Sequence, residues 1–223
     1  MTISVLIVDD QPLIRSAIAA LLSDEPEMSV VGEAGDGEEA VRLTRELHPS
    51  VVLMDVRMRG MDGVAATAAI RADPELDGCR VVALTTFEEA DVLAACLRAG
   101  VDGFIGKGSR AVFMIEGIRA VAAGESLLSP RATALFLKAR EQTAGVAPQQ
   151  RDELGALTNR EREVVALMAT GMTDEAISAR LTISIATTKT HVNRAMAKAD
   201  TRTRTALVAM AYRTGLAPAR RDR

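Results

Sequence analysis

The feature that most constrains the fold is an alternation of short apolar runs with amphipathic segments over residues 1–124. The apolar runs are rich in aliphatic residues and predict strands, while the segments between them repeat apolar residues every three or four positions and predict helices. The predicted strands are residues 4–8, 28–31, 51–54, 80–84 and 103–105. The predicted helices are residues 12–22, 36–46, 63–71, 90–99 and 110–122. Five such units predict a parallel sheet with helices on both faces, because strands buried on both sides read as continuous apolar runs.

The charge of the chain is divided unevenly along its length. Residues 1–124 carry 20 acidic and 11 basic side chains, a net charge of −9, whereas residues 125–223 carry 10 and 16, a net charge of +6. With 48% hydrophobic residues, a chain of 223 residues can bury a core in each of two domains. An acidic half joined to a basic half predicts two domains with different partners, the second attracted to a polyanion such as nucleic acid.

The hydrophobic runs and the cysteines argue against several classes of protein. No run approaches the roughly eighteen consecutive apolar residues of a membrane span. The first residues lack the basic flank and cleavage site of a signal peptide, so we expect a cytoplasmic protein. Cys79 and Cys96 stand singly without the spacing of a zinc site or a disulfide framework, and we expect both to be small core residues.

Chemically active side chains follow several of the predicted strands. Asp9 and Asp10 end the first strand, Asp55 ends the third, Thr85 ends the fourth, and Lys107 follows the fifth. In an open parallel sheet, ligands gather outside the carboxyl ends of the strands, where residues distant in sequence meet. The sequence therefore predicts one site at this rim that contains three carboxylates, a hydroxyl and an amine.

Clustered carboxylates repel one another unless a positive charge balances them. Magnesium prefers hard oxygen ligands such as carboxylates, waters and phosphate oxygens. In such a site Asp55 could attack a phosphoryl group, and Lys107 with the Thr85 hydroxyl could bind the phosphoryl oxygens. This chemistry explains why a buried strand should end on a charged residue.

The motifs "VLIVDDQPLIR", "VVLMDVRMRGMDG", "VVALTT" and "AGVDGFIGKG" resemble the receiver domain of bacterial two-component response regulators across residues 1–124. The resemblance implies a flavodoxin-like sheet of order 2-1-3-4-5. It also implies that Asp55 is phosphorylated by a sensor histidine kinase, and that Mg²⁺ is held by Asp9, Asp10, Asp55 and the backbone carbonyl of Arg57. Two further positions match the residues that switch conformation on phosphorylation. These are Thr85, the switch hydroxyl, and Phe104, the switch aromatic.

The basic half predicts four short helices. The first begins after Thr158, which with Glu161 has the spacing of a capping box; the second follows Thr173, the third follows Ser184, and the fourth spans residues 203–214. A tight turn between the second and third helices is typical of a helix-turn-helix unit. One face of the third helix is apolar: Ile185, Thr188, Val192, Ala195, Met196 and Ala199. The opposite face carries Lys189, Thr190, Asn193 and Arg194, as a helix that reads the major groove requires.

This half resembles the LuxR-type helix-turn-helix domain in "LTNREREVV", "ATTKTHVNRAMAKAD", "RTRTALV" and "AYRTGL". A receiver joined to this domain is typical of the NarL/FixJ class of response regulator. The resemblance implies base contacts from Lys189, Thr190 and Asn193. Further contacts to DNA are predicted from residue type and location: Thr187, Arg194, Lys198, Arg202 and Arg204. Asp174 stands where the family usually has Asn, and we expect it to add a negative charge near the DNA.

The predicted organisation has four parts. An α/β receiver domain spans residues 1–124, and a linker with a short helix spans residues 125–152. An all-α four-helix domain of the helix-turn-helix type spans residues 153–217, and a basic tail spans residues 218–223. The expected partners are double-stranded promoter DNA, a sensor histidine kinase and, on phosphorylation, a second copy of the chain; no membrane is expected.

Two other functions remain open from the sequence. An aspartyl-phosphatase also places Asp at a strand end, but needs a second acid two residues later, where this chain has Arg57, so we do not expect an enzyme. Alternatively, the chain is a DNA-binding regulator whose receiver is a dimer module that works without phosphorylation. Labelling of Asp55 by a phosphodonor would distinguish this dimer module from a regulator that phosphorylation controls.

Overall fold

The computed structural model describes residues 2–85, 90–125 and 154–217, apart from the side chains of Ala90 and Arg213. It divides into two compact units, Met1–Ser129 and Pro130–Arg223. The predicted linker helix and the basic tail lie outside the described residues. Within the described ranges, no helix is both long enough and apolar enough to cross a membrane.

The first unit is built on a five-stranded parallel sheet. Its strands are β1 (Ile3–Val8), β2 (Met28–Ala34), β3 (Val51–Asp55), β4 (Arg80–Thr85) and β5 (Gly103–Gly106). Their order is β2-β1-β3-β4-β5, which confirms the predicted fold class and topology. The central strands are buried along almost their whole length because helices cover both faces.

Five helices connect and cover these strands. They are α1 (Pro12–Ser23), α2 (Gly37–Leu47), α3 (Gly63–Ala72), α4 (Ala90–Ala99) and α5 (Ala111–Ala122). Local chemistry fixes where they begin: Asp36 and Asp62 each accept a backbone hydrogen bond from the first turn of α2 and α3. Apolar residues of α1 and α5 pack with β1, β3 and β4 in one core cluster.

One residue of α1 is placed differently from the sequence expectation. Grouping the apolar residues of this helix on one face places Leu13 with Ile18 and Leu22, yet the Leu13 side chain is 80% exposed while the other two are buried. The reason is helical geometry, because nine residues at 3.6 per turn place Leu13 about 180° around the helix axis from Leu22. Ala17, one turn after Leu13 on the same side, is exposed as well. The Leu13 side chain therefore lies on the solvent side of α1, away from the sheet.

The described part of the second unit contains four helices: α6 (Asn159–Ala169), α7 (Asp174–Leu181), α8 (Ile185–Lys198) and α9 (Arg204–Thr214). Each begins at a capping hydroxyl, and the Thr158–Glu161 capping box is formed in full. Thr182 and Gly215 adopt the left-handed conformation that ends α7 and α9. The helices agree with the four that the sequence predicts.

The apolar face of α8 packs on the neighbouring helices, as predicted, apart from its first residue. Thr188, Val192 and Ala195 are fully buried, whereas Ile185 is 41% exposed. Ile185 is the first residue of the helix and extends beyond the packed part.

Candidate functional site

The carboxyl ends of β1 and β3 bring three carboxylates together. Asp9 and Asp10 follow β1, and Asp55 is the last residue of the neighbouring strand β3. One oxygen from each of the three lies within 4.8 Å of the others. Asp9 is 0% exposed and Asp55 3% exposed, so two of the three charges are removed from solvent. The rim predicted from the sequence is thus an acidic pocket.

Lys107 supplies a positive charge inside this acidic pocket. Its Nζ lies 2.8 Å from Asp9 Oδ2 and 2.8 Å from Asp55 Oδ2. Its backbone N–H donates to the Thr85 carbonyl at 2.9 Å, which fixes the residue after β5 to the end of β4. The amine therefore bridges two carboxylates while its backbone is tied to Thr85.

The environment changes the protonation behaviour of this pair. Burial raises the pKa of Asp55 above its ordinary value, and the charge of Asp9 adds to this effect, although Lys107 opposes it. Burial works in the opposite sense on the Lys107 amine, but its contacts with the Asp55 and Asp9 carboxylates outweigh it and raise the pKa of Lys107. Lys107 is accordingly held as an ammonium.

The donor set of the pocket suits a small divalent cation. Three carboxylates outnumber the single ammonium of Lys107, so negative charge is left over. Asp9 Oδ1 accepts a hydrogen bond from the Gln11 N–H, while the buried Oδ2 makes an ionic contact with Lys107 but no well-directed hydrogen bond. Hard oxygens with a spare lone pair are the ligands that Mg²⁺ prefers.

The loop after β3 is folded tightly against Asp55. The Arg57 N–H donates to Asp55 Oδ1 at 3.3 Å, and the Gly63 N–H donates to the Val56 carbonyl at 3.1 Å. A Cβ on Gly63 would lie 2.0 Å from the Asp55 carbonyl oxygen, and one on Gly37 would lie 2.5 Å from the Met61 carbonyl oxygen. Gly63 therefore lets the chain pass close to the backbone of Asp55, and Gly37 lets the start of α2 pass close to the loop at Met61.

The predicted switch residues lie on β4 and β5, the two strands that follow β3 in the sheet. Thr85 is the last residue of β4, one position beyond the Leu84 that pairs with Asp55. Phe104 lies in β5, pairs with Ala83 and is fully buried. Their predicted roles remain a proposal, developed below.

Helix α8 presents a polar surface in the second unit. Six of the predicted DNA-contacting residues lie on its exposed side: Thr187, Lys189, Thr190, Asn193, Arg194 and Lys198. The buried side holds the helix against α6 and α7. A helix with a packed back and an exposed polar face has the form required for insertion into the major groove.

Two parts of the chain match known protein families. Residues 5–119 match the response regulator receiver domain, and residues 155–211 match the bacterial regulatory proteins of the luxR family. The transcriptional regulatory protein LiaR of Bacillus subtilis is 37% identical over 215 residues, which cover 96% of this chain and 99% of LiaR. This chain belongs to the response regulator family.

Further comparisons extend this assignment. The response regulator protein VraR of Staphylococcus aureus is 37% identical over 217 residues, 97% of this chain and 99% of VraR. The crystal structure of the response regulator ChrA of a heme-sensing two-component system matches with a TM-score of 0.53 and 28% identity, over 96% of this chain and 98% of ChrA. The predicted resemblance is confirmed: this is a DNA-binding response regulator with a receiver and a LuxR-type helix-turn-helix domain.

Two cations of the response regulator that were predicted to face DNA have partners within the protein. The Arg204 guanidinium pairs with Asp174 Oδ1 at 2.6 Å and is largely buried, so one of its nitrogens is already engaged, and a phosphate contact from Arg204 stays a prediction. Asp174 is buried as well, so it does not place an exposed negative charge near DNA. Lys198 Nζ lies 2.7 Å from Glu161 Oε2 but keeps a third of its side chain exposed.

Sequence reasoning missed these two ion pairs between helices. Glu161 was assigned only to the capping box, yet it also accepts a hydrogen bond from Lys198. The available signal is an acidic residue, Glu161 or Asp174, on the side of its helix that faces another helix, because a buried carboxylate needs a cationic partner. The pairing itself joins residues 37 and 30 positions apart, which no local pattern specifies.

Proposed function

We propose that phosphorylation of Asp55 by a sensor histidine kinase shifts the response regulator toward a dimer that binds promoter DNA and controls transcription. The observation that carries this proposal is the buried Asp55 carboxylate, which lies beside the carboxylates of Asp9 and Asp10 and in contact with the Lys107 ammonium. LiaR is named a transcriptional regulatory protein, which supports control of transcription as the output.

In the proposed reaction, an Asp55 oxygen forms a bond to the phosphorus of a phosphohistidine. The phosphorus–nitrogen bond breaks, and the imidazole leaves with its electron pair. The Lys107 ammonium would then bind an oxygen of the new acyl phosphate, and the Thr85 hydroxyl would bind another. The buried position of Asp55 keeps bulk water from the reacting atoms.

Magnesium is the cofactor that this site would hold. Asp9, Asp10, Asp55 and the Arg57 carbonyl would be its protein ligands, as the family resemblance implies. When bound, the ion neutralises charge that develops on the phosphoryl oxygens. The protein's own part is to hold the carboxylates together, which the ends of β1 and β3 do.

Phosphorylation would change the equilibrium between two conformations of the receiver. We expect Thr85 and Phe104 to move inward as the phosphoryl oxygens gain a hydroxyl partner, and the surface near α4 and β5 to change with them. Two receivers would then pair, so that two α8 helices meet neighbouring half-sites. Lys189, Thr190 and Asn193 would contact bases, while Thr187, Arg194 and Lys198 would lie near phosphates.

The test is labelling of the full chain with acetyl phosphate and Mg²⁺. We expect one phosphoryl group per chain, loss of labelling in Asp55→Asn, and tighter binding to promoter DNA in gel shifts only when Asp55 is present. The matched control is Asp62→Asn, the same chemical change at a residue that caps α3, where Asn caps equally well. DNA binding that is unchanged by complete labelling would instead favour a receiver that acts as a dimer module without phosphorylation.

A further inference from the structure

Helix α8 contains three threonines whose hydroxyl groups are used differently. The Thr188 side chain is fully buried, and its hydroxyl donates to the Ser184 carbonyl at 3.3 Å. The Thr187 hydroxyl shares a 2.8 Å hydrogen bond with the Ser184 hydroxyl at the helix start. The Thr190 side chain lies on the exposed face, and its hydroxyl donates to the Ala186 carbonyl at 2.9 Å.

The hydrogen bond of Thr190 decides what this side chain offers to a partner. A hydroxyl carries one proton, and here that proton is used inside the helix. The oxygen and the methyl carbon occupy different staggered positions on Cβ, so turning the oxygen back toward the preceding turn leaves the methyl group as the other contact surface. While this bond is kept, Thr190 offers a partner its methyl group and the acceptor lone pairs of its oxygen, but no donor.

A second methyl group lies one helical turn away. Ala186 is exposed, and residues four apart are neighbours on a helix surface. Lys189 and Asn193 are exposed beside this pair. The exposed face of α8 thus has a small apolar patch, formed by Ala186 and Thr190, next to two side chains that can donate hydrogen bonds to base edges.

The major groove offers one apolar group, the 5-methyl of thymine. We propose that the patch of Ala186 and Thr190 recognises a thymine methyl in each half-site, so that Thr190 selects thymine through its methyl group and not through its hydroxyl. This inference rests on the proposed function, since it requires α8 to enter the major groove. A hydroxyl that donated to a base would first have to release the Ala186 carbonyl.

The test uses the full chain, treated with acetyl phosphate and Mg²⁺, and a duplex selected by it from a random-sequence library. Each thymine is replaced in turn by deoxyuridine, which removes only the methyl group. Burying one such group corresponds to about a fourfold change in affinity. We expect about a fourfold loss at one thymine per half-site, about fifteenfold when both half-sites are changed, and no change at the other thymines.

Two variants separate the methyl from the hydroxyl. Thr190→Val keeps a methyl and removes the hydroxyl, so it should keep the preference for thymine over uracil. Thr190→Ser keeps the hydroxyl and removes the methyl, so its preference should fall to about one. Thermal unfolding of both variants serves as the folding control.

The opposite pattern, in which Val loses the preference and Ser keeps it, would overturn the proposal. Equal affinity of the wild type for every thymine and uracil duplex would overturn it too, while leaving DNA binding intact. Failure to select any duplex would overturn both this inference and the proposed function.

Discussion

Gly63 occupies a position at which any side chain would collide with the backbone of β3. The chain leaves Asp55, turns through the loop that contains Arg57, and returns so closely that a Cβ at residue 63 would lie 2.0 Å from the Asp55 carbonyl oxygen. The backbone conformation of Gly63 is not the left-handed one, so close approach and not torsion is what requires glycine here. The position of Asp55 therefore depends on residue 63 having no Cβ atom.

We predict that Gly63→Ala slows acetyl phosphate labelling of Asp55 and lowers the free energy of unfolding of the receiver by about 1–3 kcal/mol, the usual cost of overpacking. Urea unfolding and the labelling rate measure the two effects. Gly78→Ala is the control, because a Cβ there meets nothing within 4 Å. Normal labelling and stability in Gly63→Ala would show that β3 and its loop can shift without consequence.

Substitution of two arginines of the DNA-binding domain should change its stability by very different amounts. Arg204 pairs with the buried Asp174, so Arg204→Met leaves a buried carboxylate without its cation and should lower stability by about 3–5 kcal/mol. Arg194 is exposed on α8, so Arg194→Met should change stability by less than about 0.5 kcal/mol.

Arg194→Met should instead weaken DNA binding. The slope of the logarithm of the binding constant against the logarithm of the salt concentration should fall in magnitude by about 0.9 for each lost phosphate contact. Thermal unfolding and binding at several salt concentrations measure the two quantities. A stable Arg204→Met protein with a reduced salt slope would show that Arg204 contacts a DNA phosphate and is not needed for folding.

At the scale of elements, α6 and α8 are joined by a charged contact that depends on pH. Burial alone would raise the pKa of Glu161, but hydrogen bonds from Lys198 and from the Thr158 N–H outweigh it and hold the pKa below its ordinary 4.5. A carboxylate with a lowered folded-state pKa stabilises the fold fully above its unfolded value, and this stabilisation is lost as the pH falls through the folded value.

We predict that Lys198→Met lowers the stability of the DNA-binding domain at pH 7 by about 1.5–3 kcal/mol, since a hydrogen bond to a charged group is lost. The difference from wild type should shrink below about pH 4.5, where Glu161 becomes protonated. Urea unfolding of the full chain at several pH values, followed by a probe in this domain, measures it. Glu163→Gln removes an exposed pair with Arg160 and should have almost no effect. A pH-independent difference for Lys198→Met would assign the loss to packing instead.

Elements were predictable to the extent that their signals are local. The strands follow from apolar runs and the helices of the second unit from capping residues such as Thr158 and Ser184, because both signals lie within a few neighbouring residues. Grouping the apolar residues of a helix misplaced Leu13, because it lies on the opposite side of α1 from Leu22. It also misplaced Ile185, because a periodic pattern does not report how far along α8 the packed surface extends. The convergence of Asp9, Asp55 and Lys107 was predictable because parallel strands share one carboxyl rim.

At the scale of the whole molecule, the two units differ in charge as well as in fold. The halves divided after Gly124 carry −9 and +6, so a polyanion is repelled by the first and attracted by the second. DNA should therefore approach the unit that contains α8. A dimer would present two such helices.

We predict that the phosphorylated response regulator requires two half-sites about one helical turn, roughly 10 base pairs, apart. Inserting about half a turn between the half-sites rotates one of them away from its α8 helix and should weaken binding strongly. Gel shifts with a series of spacers measure this dependence. Asp55→Asn is the control and should bind weakly at every spacing. Equal affinity of the phosphorylated protein for all spacers would mean that two copies do not bind as a fixed pair.

The Lys107 ammonium is a counter-ion shared between two carboxylates. It touches Asp9 and Asp55 at the same distance, while the Lys107 backbone holds the end of β4. A phosphoryl group on Asp55 would compete with Asp9 for this one cation. Phosphorylation would then move the Lys107 ammonium from Asp9 toward the phosphoryl group. Because the Lys107 backbone is hydrogen-bonded to Thr85, this movement would reach the end of β4 directly.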